Sequence, residues 1–479
     1  MRVQLYLREI TPAEIAAATG GRLVPFGSGA AAVSSVVIDS RESTPGALFC
    51  AIRGERTDGH AYIAAAVESG AAVVLSEKEP ENIPGNFVAV VVRDTVEAMN
   101  DLAAWYKTLL PLRTVAVTGS VGKTTTKELI AAVVSARYKT RKTEGNLNST
   151  IGLPLTLFSL REDDEAAVLE MGMNHPGEIS RMSRTARPDV AVITNVGTAH
   201  LEYLGSREGI LRAKMEITDG MTRGAGTLIL SGDNDMLRTV SRSPMHPLYY
   251  SASGDSSAAF CATDVRENGG EITFTLRAAD GTVRQDVRLP MRGLHNVGNA
   301  LAAIAVGRTL GLTEDEIRRG LLAYRSVGMR QNITVSGGVR VIEDCYNANP
   351  ESMHAALDVL RSVAKENGGS AAALLGDMLE LGTGGPRLHR EIGAYAASLG
   401  LKTLFCYGPL AAYIGEGAIE GGMTPDRVVW EPDTEHPERL ADEIVRRLAP
   451  GDTLLVKASR GIAAENVWHL CRDVWEKNN

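Results

Sequence analysis

Short apolar runs alternate with amphipathic stretches along the whole chain, and they fall into three sections. Over residues 1–94 the runs SVVID, ALFCAI, AAVVLS and FVAVVV read as strands, with short helical patches such as AYIAAAVESG between them. TVEAMNDLAAWYKTLL then repeats apolar residues at helical spacing and is closed by Pro111, which predicts a helix. The second section opens with the strand RTVAVT, residues 113–118, and continues with AAVLEM, VAVITNV and GTLIL. Apolar strands separated by helices predict a mostly parallel sheet. Residues 246–291 change period. EITFTLRA and TVRQDVRLPM alternate polar and apolar positions, so antiparallel strands appended to that sheet are expected. GLHNVGNALAAIAVGRTLG predicts an Ala-rich helix. From Gly328 onward VRVIED, AAALLG, LKTLFCYG, RVVW and DTLLVKAS alternate with helical stretches, the pattern of a doubly wound α/β domain. The expected division is 1–94, 95–327 and 328–479.

Composition narrows the class. At 479 residues the chain is too long for one ordinary core. Hydrophobic residues at 44% and charged residues at 23% fit a soluble globular protein. A net charge of −8 with no Lys/Arg-rich block speaks against a nucleic-acid partner. No apolar run approaches the roughly 18 residues of a membrane span. MRVQLYLREITPAEI lacks the apolar core of a signal peptide. Cys50, Cys261, Cys345, Cys406 and Cys471 are scattered and form no CxxC, which fits a reducing cytoplasm and argues against a structural zinc site. Frequent glycine (49 residues) and sparse aromatics (5%) suit the tight strand–helix turns of an α/β fold.

The stretch VAVTGSVGKTTTKE, residues 115–128, carries the first chemistry. A Walker A loop asks for glycine five positions before the Gly of Gly-Lys-Thr, and Val117 stands there. The physical requirements of a phosphate cradle are nevertheless met. A strand leads into the small turn Gly119, Ser120, Val121, Gly122, and a helix follows, so backbone N–H groups and the helix dipole face one point. Lys123 would pair with the β- and γ-phosphates of ATP, and the Thr124 hydroxyl, followed by Thr125, would face Mg²⁺. The departure implies a shorter loop. Glu170 ends the apolar strand AAVLEM, where a metal-binding carboxylate would project toward that loop. His200 follows another buried strand. Lys214 lies on a predicted helix and by its surroundings reads as a surface lysine. Asn146, Asn148, Ser149 and Thr150 precede an apolar helix, which they could cap or from which they could meet a ligand.

TGSVGKTTTKE, GNLNSTIGLPLTL, EMGMNHPGEI, TNVGTAHLEYLGS, GLHNVGNALAA, DCYNANPESM and LLGDMLELG together resemble the Mur ligases over nearly the whole chain. These are ATP-dependent amino-acid ligases of peptidoglycan precursor assembly. Their phosphate loop is TGxxGKT[ST], which this sequence satisfies. YNANPESM and LGDMLELG are similar to the branch that joins D-alanyl-D-alanine to UDP-N-acetylmuramoyl-tripeptide, and the DNPR of the diaminopimelate-adding branch is absent. The resemblance implies a UDP-binding N-terminal α/β domain, a central P-loop ATPase with a mostly parallel sheet, and a C-terminal Rossmann-like domain. It implies cytoplasmic action, with a monomer expected and with no nucleic acid or membrane span. It further implies that Glu170 and His200 serve two Mg²⁺ and that Lys214 is carbamylated to support the second, reversing the surface reading. Asn299 and Asn347 match positions near the adenine, Arg330 one that reaches the phosphates, and Asp344 one near the ribose. Ser40 and Arg41 match the uridine diphosphate site, while Asn349, Lys457 and Arg460 fall in stretches matched to substrate. Two departures stand out. A family Asp-Asp pair is Glu343-Asp344 here, and a late KGSR is Lys457-Ala458-Ser459-Arg460. A folylpolyglutamate synthetase-like ligase or a nucleotide-dependent switch would compete. The DSR and DGH stretches oppose the first, and the lack of an NKxD motif opposes the second.

Overall fold

The computed structural model describes residues 1–27, 32–54, 57–222, 224–242, 246–326, 328 and 331–477. Each section of the sequence builds one sheet. The first has six strands in the spatial order Arg2–Gln4, Ser35–Val37, Ala47–Cys50, Ala71–Ser76, Phe87–Val91, Arg22–Phe26. Its inner pairs are parallel and both edge strands run antiparallel. The third also has six strands, parallel from Val339–Glu343 through Val428–Glu431, with Asn332–Ser336 as an antiparallel edge.

The central sheet has nine strands. Arg113–Thr118 sits between Ala166–Glu170 and Val190–Ile193, parallel to both. The expectation for residues 246–291 holds only for the strands from Phe260 onward. Phe260–Asn268, Glu271–Ala278 and Val283–Leu289 form an antiparallel meander. Leu248–Ser251 instead runs parallel to both of its neighbours and extends the parallel part of the sheet. The short run LYYS has no periodicity that could distinguish the two directions.

The helix Thr95–Lys107 ties the first two sections together. Its apolar face joins a core that runs from Val3 and Leu75 to Leu155 and Ile179 without a break. The buried Tyr106 hydroxyl accepts a hydrogen bond from Leu7 N–H at 3.0 Å, and its ring meets Phe158 edge-on at 5.8 Å. Asn100 donates to the Thr150 carbonyl at 2.8 Å and accepts from the Thr185 hydroxyl at 3.0 Å. Phe158→Ala would open a cavity at this seam. It should cost about 3–5 kcal/mol, read as a shift in the denaturant midpoint at constant slope.

All five cysteines are buried and unbonded. Among the described residues no helix is long and apolar enough to cross a membrane.

Candidate functional site

Parallel pairing puts the carboxyl ends of three central strands side by side. Val117 pairs with Glu170 on one flank, and Thr118 pairs with Ile193 on the other. The phosphate loop, the acid and the segment leading to His200 therefore leave the sheet at one edge, which is where open α/β sheets bind ligands. Val117 is fully buried inside its strand. The turn is thus confined to Gly119–Gly122, and the helix Lys123–Val134 starts directly after it. Gly119 has no alternative: a Cβ there would lie 1.8 Å from the Thr194 hydroxyl oxygen.

The acid meets the loop as the sequence suggests. Glu170 is buried, and its Oε2 accepts from the Thr124 hydroxyl at 2.8 Å. Its Oε1 accepts from Asn148 Nδ2 at 2.9 Å, and its N–H donates to the Thr143 hydroxyl oxygen at 3.0 Å. A carboxylate and a hydroxyl are hard oxygen donors, and a magnesium site of this kind is completed by substrate phosphates and water. Thr124 and Glu170 therefore fit Mg²⁺. His200 and Lys214 fit less simply. His200 Nδ1 lies 2.7 Å from Glu380 Oε2 of the C-terminal section, but off the direction a hydrogen bond needs. The contact with His200 holds the Glu380 carboxyl below its usual range. Lys214 is 1% exposed and does not line the cleft described below. Burial, then repulsion from Lys123, pushes its amine well below the ordinary lysine range. An amine is a poor ligand for a hard cation, so Lys214 would fit Mg²⁺ only if carbamylated. Among the described residues no three His, Cys, Asp or Glu side chains converge as a metal cluster.

A cleft of about 920 Å³ opens over these groups and is walled by the C-terminal section. It brings together Ser120–Thr125, Asn148, Ser149, Glu170, His200, Asn299, Asp344, Asn347, Asn349 and Lys457. Several of these serve the frame. Asn349 caps the helix Pro350–Asn367, accepting from Ser352 N–H at 2.9 Å. Lys457 donates to Asp344 Oδ2 at 2.7 Å and to the Asn347 carbonyl at 3.0 Å, so it shapes the loop that carries both residues. Asn299 donates to Asn296 Oδ1 and accepts from the Thr126 hydroxyl, binding its helix to the phosphate-loop helix. Ser149 accepts from Gly152 N–H at 3.2 Å, which favours the capping reading for that residue.

Other expected residues lie elsewhere. Gly119, Asn146, Thr150, Lys214 and Arg460 do not line the cleft. The exposed Arg460 pairs with Glu465. Ser40 and Arg41 belong to the first section, in a short 3₁₀ turn capped by Asp39, which also pairs with the Arg41 guanidinium at 2.6 Å. Arg330 lies outside the described residues.

Two residues of consequence escape the sequence reading. Asn195 Oδ1 accepts from both Ser120 N–H and Val121 N–H at 2.9 Å. Those two N–H groups are therefore engaged within the protein. Glu351 reaches across from the C-terminal section to Thr198. Asn195 stands in the same TNVG run that ends in His200, so that strand end was the available signal. Nothing in the sequence marks Glu351 beyond its place after YNANP.

Comparison with known proteins agrees with this geometry. Residues 32–120 match the Mur ligase family catalytic domain, 117–307 the Mur ligase middle domain, and 329–460 the Mur ligase glutamate ligase domain. The UDP-N-acetylmuramoyl-tripeptide–D-alanyl-D-alanine ligase of Bacillus subtilis is 39% identical over 91% of this chain and 92% of its own length. The enzyme of that name from Escherichia coli is 35% identical, covering 91% and 93%. Among solved structures, MurF from Acinetobacter baumannii superposes with a TM-score of 0.86 at 31% identity, covering 97% of this chain and 99% of that one. MurF ligase from Thermotoga maritima in complex with ADP gives 0.80 at 29% identity, covering 93% and 98%. The chain belongs to the Mur ligase family.

Proposed function

We propose that this enzyme joins D-alanyl-D-alanine to UDP-N-acetylmuramoyl-tripeptide at the expense of ATP, giving the pentapeptide precursor of peptidoglycan. The observation that carries the reading is the Thr124–Glu170 pair at the mouth of the phosphate loop, in a chain similar over 91% of its length to ligases of that name. The γ-phosphoryl group passes to the terminal carboxylate of the tripeptide, and ADP leaves. The dipeptide amine attacks the resulting acyl phosphate at carbon, and the tetrahedral intermediate expels phosphate and loses a proton to give the amide.

The difficulty is electrostatic, because two anions must approach each other. Lys123 and the N–H groups from Gly122 onward would hold the β- and γ-phosphates, with Arg330 as a second cation. Thr124 and Glu170 would hold one Mg²⁺, and His200 with a carbamylated Lys214 a second. Bound magnesium supplies charge neutralisation on the phosphoryl oxygens. The low proton affinity of Lys214 supports carbamylation, since only the neutral amine reacts with CO₂. Ser40 and Arg41 would take the uridine diphosphate end, and Asp344, Asn347 and Asn299 the nucleoside side of ATP. The division 1–94, 95–327 and 328–479 would give uridine diphosphate binding, ATP use and closure over the site to successive sections, each of which carries one sheet. A monomer is proposed, and buried free thiols suit a cytoplasmic enzyme.

ADP release tests the reading. ATP is supplied with UDP-N-acetylmuramoyl-tripeptide and D-alanyl-D-alanine, singly and together. ADP should appear only with both, alongside the pentapeptide. Hydrolysis without either substrate, or turnover with a free amino acid in place of the dipeptide, would overturn the assignment.

A further inference from the structure

The segment Thr194–Thr198 touches the phosphate loop at one end and the C-terminal domain at the other. At the loop end, the Thr194 hydroxyl donates to the Val121 carbonyl at 2.6 Å. Asn195 Oδ1 accepts the two N–H groups already described, and Gly197 N–H donates to the Ser120 hydroxyl oxygen at 2.9 Å. The middle has no slack. Val196 is fully buried, and its carbonyl accepts from Arg207 Nη2 at 2.9 Å and from Asn234 Nδ2 at 3.2 Å. Arg207 is itself held by Asp235 through two contacts, at 2.6 and 2.8 Å.

At the far end the grip comes from a different domain. Glu351, in the first turn of the helix Pro350–Asn367, accepts from Thr198 N–H at 2.9 Å and from the Thr198 hydroxyl at 3.2 Å. The approach is close: a Cβ on Gly197 would lie 2.5 Å from Glu351 Oε1 and would displace the carboxylate. Hydrogen bonds to an ionised carboxylate are stronger than neutral ones. A segment bonded at every residue transmits a displacement at Thr198 to Ser120 instead of absorbing it.

We infer that Glu351 is a positioning residue. By holding Thr198 it fixes Thr194–Thr198 and through them the phosphate loop, so that docking of the C-terminal domain tightens nucleotide binding. This rests on the reading of the loop as the ATP site, and Lys123→Ala supplies the separate control for that reading.

The test uses the full chain, with ADP affinity measured by calorimetry and the KM for ATP by steady-state turnover. Glu351→Ala should weaken both by about ten-fold, the loss expected for a hydrogen bond to a charged group. The kcat at saturating ATP should change far less. Glu351→Gln keeps the acceptor oxygen and should recover most of the affinity, which a role in general stability would not require. Ser120→Ala removes the loop end of the same path. The double variant Ser120→Ala/Glu351→Ala should be no weaker than the poorer single variant, and strictly additive losses would overturn the inference. If Glu351→Ala does not fold, Thr198→Val carries the test, since it deletes only the hydroxyl contact. Unchanged ADP affinity in a folded variant, beside a clear loss in Lys123→Ala, rejects the relay alone. No loss in Lys123→Ala rejects the ATP site, and the relay falls with it.

Discussion

Replacing Lys123 by alanine is expected to lower ATP-dependent ligation by about 10²–10³-fold, the usual cost of deleting one electrostatic contact to a transition state. The folded chain should be nearly indifferent. Lys123 is the first residue of its helix, and its ammonium folds back onto the Gly119 carbonyl at 2.9 Å and the Ser120 carbonyl at 3.4 Å. A cation in a helix's first turn opposes the macrodipole, so the helix gains nothing from it. Its removal opens no core cavity either, because the side chain lies on the cleft wall. Two measurements separate the roles: turnover with both substrates, and the thermal midpoint. A large fall in turnover at an unchanged midpoint is the expected pair. A folded variant with near-normal turnover would mean that the loop does not bind the transferred phosphoryl group.

Glu170→Gln is expected to cost about 100-fold in turnover and to raise the Mg²⁺ concentration needed for half-maximal rate, as loss of charge at a metal ligand should. Glutamine preserves volume in a site that is 2% exposed, and its carbonyl oxygen can still accept from Thr124 or Asn148. What disappears is the negative charge beside the loop. Glu170→Ala is the harsher change, since it strands the Thr124 hydroxyl and the Asn148 amide. It should add about 1–3 kcal/mol of destabilisation for the buried Thr124 hydroxyl left without a partner, while the half-buried Asn148 amide faces the cleft. A magnesium titration of the glutamine variant decides the matter. A normal midpoint and normal rate would remove Glu170 from the metal site and leave it as a bracket between strand and loop.

Much of the architecture was legible because it is written in local pattern. The strands flanking the phosphate loop are continuous apolar runs bounded by turn residues, and each lies where the run is. The helix after Gly122 and the capped helix after Asn349 carry their own start signals. Leu248–Ser251 runs against the antiparallel expectation because four residues of mixed polarity cannot encode the direction of a strand. Direction is set by which neighbour covers it.

The site divides along the same line. Lys123, Thr124 and Glu170 were legible because strand, turn and helix are contiguous, and a parallel sheet must deliver its strand ends to one edge. The sequence could name Lys457 and Asn349 but not their tasks, because a lysine or asparagine reads alike whether it meets substrate or backbone. Tertiary packing alone decided that Lys214 is buried and loses its proton readily, since periodicity on a short helix does not say what covers it. It likewise decided that Asn195 holds the loop's N–H groups and that Glu351 crosses from another domain to Thr198, 153 positions away in the chain. By itself the sequence determined the three sheets, the strand–turn–helix loop and the acid beside it, all consequences of short-range pattern. The tertiary structure decided which polar groups remain for ligands and which are consumed in holding the frame, because each donor's partner is chosen by the fold that surrounds it.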